Sequence, residues 1–135
     1  MKRLRHILKI KKGVICFDFD GVIASYKRPF RYNVLGAPNY SVIKVMRHYY
    51  KQGYFILIFT GRIKSRKMTA WLKKYKVPYH MFNKNPMPVP LANKNKPYFS
   101  VLIDDKAVNV HYKFNPKNKE QLIKSIEKIL KHKSD

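Results

Sequence analysis

Two carboxylate pairs carry the chemistry most open to reading: Asp18 with Asp20, and Asp104 with Asp105. Each follows a short β-prone run, Val14-Ile15-Cys16-Phe17 before the first and Phe99 to Ile103 before the second. A third run, Tyr54 to Phe59, ends in Thr60-Gly61-Arg62. The 135-residue chain has only seven acids, and none lies between Gly21 and Ile103, a stretch holding 16 Lys and Arg. Glu120, Glu127 and Asp135 sit in the C-terminal segment and read as solvated helix-face or tail charges. In a chain that otherwise avoids carboxylates, two pairs at strand ends point to a bound cation or to acid–base chemistry. The plainer alternative is a set of turn or N-cap aspartates.

The elements that must position these residues alternate between strand and helix. The three runs are apolar without a period of two, as in strands of a parallel sheet buried on both faces. Tyr79 to Phe82 and Val108 to Tyr112 are weaker strand candidates. Val42, Val45, Met46 and Tyr49 follow helical spacing, with Ser41 as N-cap and Gly53 as stop. Met68, Trp71, Leu72 and Tyr75 repeat that spacing, and Leu122, Ile126, Ile129 and Leu130 mark a C-terminal helix. These stripes, Trp71 included, read as core faces. Tyr26 to Asn39 and Asn83 to Pro97 read as loops, long enough to suggest function. The pattern predicts an α/β sandwich on a mostly parallel sheet, in which ligands bind at the carboxyl ends of the strands. One site there would gather the four aspartates, the Thr60 hydroxyl, and Gly61, whose bare backbone lets a ligand approach. Arg62 faces either a phosphate or the surface.

Composition narrows the class. The length fits one domain, divided here into a basic N-terminal arm, 1–12, and a body, 13–135. Lys and Arg number 30, for a net charge of +23, which points to a polyanionic partner such as nucleic acid. A composition bias toward Lys, Asn and Tyr is the plainer source of that charge, though it leaves the shortage of acids unaccounted for. The single cysteine, Cys16, excludes an internal disulfide and a multi-cysteine zinc site, and reads as an inert core residue. His80 and His111 read as core or surface residues. No apolar run approaches the ~20 residues of a membrane-spanning helix. Residues 1–12 lack the apolar core of a secretory signal, so a cytoplasmic protein is expected. Their acid-free pattern around Leu4, Ile7 and Leu8 keeps an organellar presequence open.

Asp18-Phe19-Asp20-Gly21-Val22 after an apolar strand resembles motif I (D-x-D-G-[TV]) of the haloacid dehalogenase (HAD) superfamily. Phe59-Thr60-Gly61-Arg62 is similar to its motif II, and Leu102-Ile103-Asp104-Asp105 to its motif IV. The match runs in order from about Val14 to Val108. The resemblance implies a three-layer Rossmann-like sandwich and a Mg²⁺-dependent phosphatase. In that family pattern Asp18 is the nucleophile that becomes phosphorylated and Asp20 is the acid–base. Thr60 binds the phosphoryl group, with Gly61 and Arg62 beside the substrate. Asp18, the backbone carbonyl of Asp20, Asp104 and Asp105 hold the metal. The motif III lysine is best matched by Lys96, ahead of Lys84 and Lys94. Neither Val22 to Phe59 nor Arg62 to Asp104 has room for a full cap domain, so the resemblance is to capless members with an open site.

An open site on a +23 protein makes nucleic-acid or nucleotide phosphates the expected substrates. Lysine contacts to phosphates would give salt-dependent binding, and Phe30, Tyr32 and Tyr40 would stack on bases or pack the loops. Two other readings stay open: a nucleic-acid- or assembly-binding protein with this fold and little turnover, and a small-metabolite phosphatase.

Overall fold

The continuous apolar runs form the middle of a sheet. β1 (Val14–Phe17) and β2 (Phe55–Ile58) have every residue buried, as strands covered on both faces must. The computed structural model describes residues 2–26, 31, 34–87, 96–107 and 119–133. The candidate strand Val108 to Tyr112, and Phe30, Tyr32, Lys94 and His111, lie outside the described residues. In chain order the remaining elements are α1 (Lys2–Lys12), before β1, then α2 (Tyr40–Lys51), α3 (Arg66–Lys74), β3 (Met81–Phe82), β4 (Val101–Ile103) and α4 (Lys119–Lys133). The sheet order is β3-β2-β1-β4, and every pairing is parallel.

The pleat sorts β1 and β2 into two cores. Ile15, Phe17, Ile56 and Ile58 join Ile43 and Met46 of α2 and Met68 and Leu72 of α3. Val14, Cys16, Phe55 and Leu57 form the opposite face, with Ile10 of α1 packed against them. Helices therefore cover both faces of a parallel sheet, the expected Rossmann-like α/β architecture. Among the described residues, β1 to β4 are joined by α2, α3 and turns, with no cap domain between them. No described helix is long and apolar enough to cross a membrane.

Several elements differ from the sequence expectation for local reasons. β4 is three residues long, and Val101 and Ile103 are exposed. Among the described residues it is an edge strand, and the core beneath α2 and α3 takes in Ile15 and Phe17 of its neighbour but neither of these residues. β3 begins at Met81 because His80 replaces the ladder with its ring: Ile56 N–H donates to His80 Nδ1 at 2.9 Å, and His80 N–H donates to Ile56 O at 2.8 Å. α2 is capped by Asn39, two residues before the expected Ser41; Asn39 is extended and its Oδ1 accepts from Val42 N–H at 3.5 Å. Ser65 caps α3, accepting from Met68 N–H at 3.2 Å.

The basic segment 1–12 is helical from Lys2 rather than a free arm. Ile10 packs on the sheet and Lys9 Nζ meets His80 Nε2 at 3.0 Å. The chain divides into two compact units, Met1–Asp104 and Asp105–Asp135. The first holds the whole sheet with α1 to α3. The second, Asp105–Asp135, contains α4, which exposes Ile123, Ile126 and Leu130.

The loop after β1 is tied at its base. Ser25 N–H donates to Ala37 O and Asn39 N–H to Ile23 O, both at 2.8 Å. A Cβ on Gly36 would stand 1.9 Å from the Ser25 carbonyl oxygen. Gly36→Ala is therefore expected to cost about 1–3 kcal/mol as forced overpacking, a fall in Tm of about 5 °C or more by thermal denaturation.

Candidate functional site

The chain runs outward from β1 to β2 and β3, then returns to place β4 on the other side of β1. That reversal opens a crevice at the carboxyl ends of β1 and β4, where open α/β sheets bind ligands. Asp18 leaves β1 there and Asp104 leaves β4. Asp18 N–H donates to Ile103 O at 2.9 Å, so the ladder itself fixes the two carboxylates side by side. Carboxylate oxygens of Asp18, Asp104 and Asp105 all lie within 4.8 Å of one another. Asp18 is half-buried, and its Oδ1 accepts from the Phe19 N–H at 2.8 Å. Asp104 and Asp105 are exposed, and Asp105 pairs with Lys106 at 2.8 Å. Three hard oxygen donors at this spacing fit Mg²⁺ better than a softer ion.

Asp20 is held differently. After Asp18 the chain turns tightly: Ala24 N–H donates to Phe19 O and Gly21 N–H to Ala24 O. Gly21 sits at φ +85°, a conformation that glycine adopts without strain. Phe19 is fully buried, which anchors the turn between the two aspartates. The Asp20 carboxylate is gripped by Arg62: Nε donates to Oδ2 at 2.7 Å and Nη2 to Oδ1 at 2.9 Å. The same guanidinium donates to the carbonyls of Arg31 and Val34, both at 3.1 Å. Arg62 is 5% exposed, so the expectation that it faces substrate gives way to a positioning role. Its donors point to Asp20 and the loop because that is where a buried guanidinium finds acceptors.

Thr60 and Gly61 lie at the end of β2, toward the same side. Thr60 is buried, and its Oγ1 accepts from Arg62 N–H at 3.2 Å, leaving the hydroxyl proton to donate. Gly61 is exposed, and a Cβ there would meet nothing within 4 Å. Folding does not require glycine at that position. Asn83, which the sequence reading placed only at the start of a loop, clamps this turn. Its Oδ1 accepts from Thr60 N–H at 2.7 Å, and its Nδ2 donates to Thr60 O at 2.8 Å and Arg62 O at 3.3 Å. Asn83 sits at φ +52°, where Asn is enriched; an Asn directly after a short strand was the available signal.

Lys96 is exposed on the segment leading into β4, and Lys84 is exposed beyond β3. Neither is brought into the aspartate cluster by any contact found among the described residues. Cys16, on the buried strand behind Asp18, has its thiol pushed up to about 12 by burial, then by the Asp18 and Asp104 charges. It stays protonated and inert, as expected of a core residue.

No family model matches the chain, and no curated protein matches it. The solved structures that match the chain include the following two. A conserved protein from Bacteroides thetaiotaomicron superposes with a TM-score of 0.57 at 18% identity, over 71% of this chain and 78% of its own. A structural target from Vibrio cholerae gives a TM-score of 0.45 at 25% identity, over 85% of this chain and 97% of its own. The Bacteroides likeness supports the α/β fold.

Two outcomes follow. Arg62→Ala leaves the half-buried Asp20 charge without its partner and is expected to destabilise by about 3–5 kcal/mol, read by urea denaturation. Gly61→Ala is expected to leave the denaturation midpoint unchanged, because its new methyl meets open space. A clear loss of stability in that variant would show that the turn itself needs glycine.

Proposed function

We propose that this protein is a Mg²⁺-dependent phosphohydrolase of the HAD type, with Asp18 as nucleophile and Asp20 as acid–base. The supporting observation is the meeting of Asp18 and Asp104 at the reversal point of the sheet, with Asp105 within the same 4.8 Å. The motif order and the turn that carries Thr60 agree with it.

The reaction divides into two displacements. An Asp18 carboxylate oxygen attacks phosphorus, and the bond from phosphorus to the substrate's ester oxygen breaks. Asp20 gives that oxygen its proton. Water then attacks the aspartyl-phosphate and passes a proton to Asp20. The Asp18 carboxylate is regenerated as inorganic phosphate leaves. The Thr60 hydroxyl and the backbone N–H groups after Asp18 serve as donors to the phosphoryl oxygens. Asp18, Asp104 and Asp105 would hold Mg²⁺, together with the backbone carbonyl of Asp20 as the family resemblance implies, while the Asp20 carboxylate is paired with Arg62. Bound there, Mg²⁺ would neutralise charge on the phosphoryl group. The Lys96 ammonium would join from the segment before β4. The absence of a cap among the described residues suits large substrates, and the +23 charge favours nucleic-acid or nucleotide phosphates.

The test is phosphate release from 3′- and 5′-phosphorylated oligonucleotides and from an aryl phosphate, with and without Mg²⁺. Release is expected with Mg²⁺, falling by about a thousand-fold or more in Asp18→Asn, the scale of losing a nucleophile that splits one barrier into two. Equal release by that variant would overturn the assignment. Release from the aryl phosphate alone would favour a small-metabolite phosphatase. No release by a folded protein that still binds oligonucleotide would favour a binding role for the fold. Mg²⁺ is also expected to raise Tm by binding the folded state, by less in Asp104→Asn.

A further inference from the structure

One face of α3 carries Lys67, Ala70, Trp71 and Lys74, at the i, i+3, i+4, i+7 spacing that aligns side chains along a helix. This face meets Val34 and Leu35 across a shallow cleft of about 320 Å³. The floor is apolar and aromatic, and both lysines are exposed. Seven residues separate the lysines, a rise of about 10 Å along the helix axis. Trp71 is fixed in place: its Nε1–H donates to Gly36 O at 3.1 Å, and its ring meets Phe19 and Tyr75 edge-on at 5.0 and 4.7 Å. An apolar floor with a cation toward each end fits a flat, weakly polar group flanked by two anions. A nucleotide within a strand has that form: a base with a phosphate on either side. The chain from Gly21 to Ile103 carries no acid to repel it.

We propose that this cleft binds one nucleotide unit of a single-stranded nucleic acid, its base against the Trp71 wall and its flanking phosphates on Lys67 and Lys74. The inference names a substrate class for the phosphohydrolase reading and rests on it to that extent. Two contacts join the cleft to the aspartates. The Val34 carbonyl accepts from Arg62, which grips Asp20. The Trp71 ring packs against Phe19, which lies between Asp18 and Asp20.

Trp71 is the chain's one tryptophan, so its emission reports on the cleft. The full chain is titrated with a short oligothymidylate bearing hydroxyl ends, in EDTA, at several salt concentrations. Anisotropy of a labelled copy of the strand gives binding independently. Saturable quenching that tracks the anisotropy is expected. In the surface variant Lys67→Gln/Lys74→Gln, the slope of log affinity against log salt is expected to shrink by about 1.4, the share of two single-strand phosphate contacts. Binding without a change in Trp71 emission, no binding, or an unchanged salt slope would each overturn the proposal. So would equal quenching by thymidine monophosphate or by inorganic tripolyphosphate at the same concentration. With no metal and no terminal phosphate, this result is independent of turnover. Its failure leaves the phosphohydrolase reading standing, and a failure to release phosphate leaves the cleft standing.

Discussion

The bidentate pair between Arg62 and Asp20 is the interaction on which the geometry of the site depends. A guanidinium buried to this degree must satisfy its N–H groups from fixed acceptors. Here those acceptors come from three residues, Asp20 after β1 and the carbonyls of Arg31 and Val34 in the following loop, all reached from the turn after β2. One side chain thus joins the turn carrying the first aspartate pair to the turn carrying Thr60. Asn83 closes the arrangement from β3 by holding the backbone on both sides of Gly61. Three neighbouring strand ends are thus fastened by side chains in addition to the last ladder bonds, Phe59 N–H to Phe17 O and Asn83 N–H to Ile58 O.

The fourth strand end is fastened by the backbone. Asp18 N–H reaches Ile103 O, which continues the β1–β4 ladder by one bond and sets Asp18 beside Asp104. Bringing carboxylates together is unfavourable unless a cation or surrounding positive charge offsets their repulsion. The rest of the chain supplies an excess of positive charge, +23 in total. No acid interrupts the stretch from Gly21 to Ile103, so within it an anionic ligand would meet only positive side-chain charge. In the proposed reaction the sheet edge that carries Asp18 and Asp104 is where a divalent cation would offset the charge of a phosphoryl group.

The fold was legible in the sequence where burial is continuous. Val14 to Phe17 and Phe55 to Ile58 lack any polar interruption and became the two fully buried strands. The helical stripes were legible in part: Met46, Met68 and Leu72 are core, whereas Val45 is exposed and Ile43 is buried. β4 was less so, since composition does not distinguish a central strand from an edge strand whose Val101 and Ile103 stay exposed. The motif spacing placed Asp18, Thr60 and Asp104 at strand ends on one edge, because a parallel sheet aligns all its carboxyl ends. The role of Arg62 was not legible. An arginine beside a phosphate-site motif reads as a substrate contact, and only the loop carbonyls of residues 31 and 34 show where its donors go. Trp71 was rightly read as a core residue, yet a half-buried ring can pack on the core with one edge and line a cleft with another part of its surface.

The proposed chemistry and the Arg62 grip act on one carboxylate in opposite senses. A charge-assisted pair with a guanidinium is strongest while Asp20 is ionised, and it loses much of its strength when Asp20 carries the proton that the leaving oxygen needs. In the proposed reaction, the state with a proton on Asp20 is therefore also the one in which the turn after β1 is held least tightly by the turn after β2. Arg62 remains anchored in that state by the carbonyls of Arg31 and Val34. The loop thus keeps the guanidinium in position to take Asp20 back once the proton has gone. Val34 also lines the cleft on α3. One residue of the loop therefore serves both places, its side chain lining the cleft and its carbonyl holding Arg62.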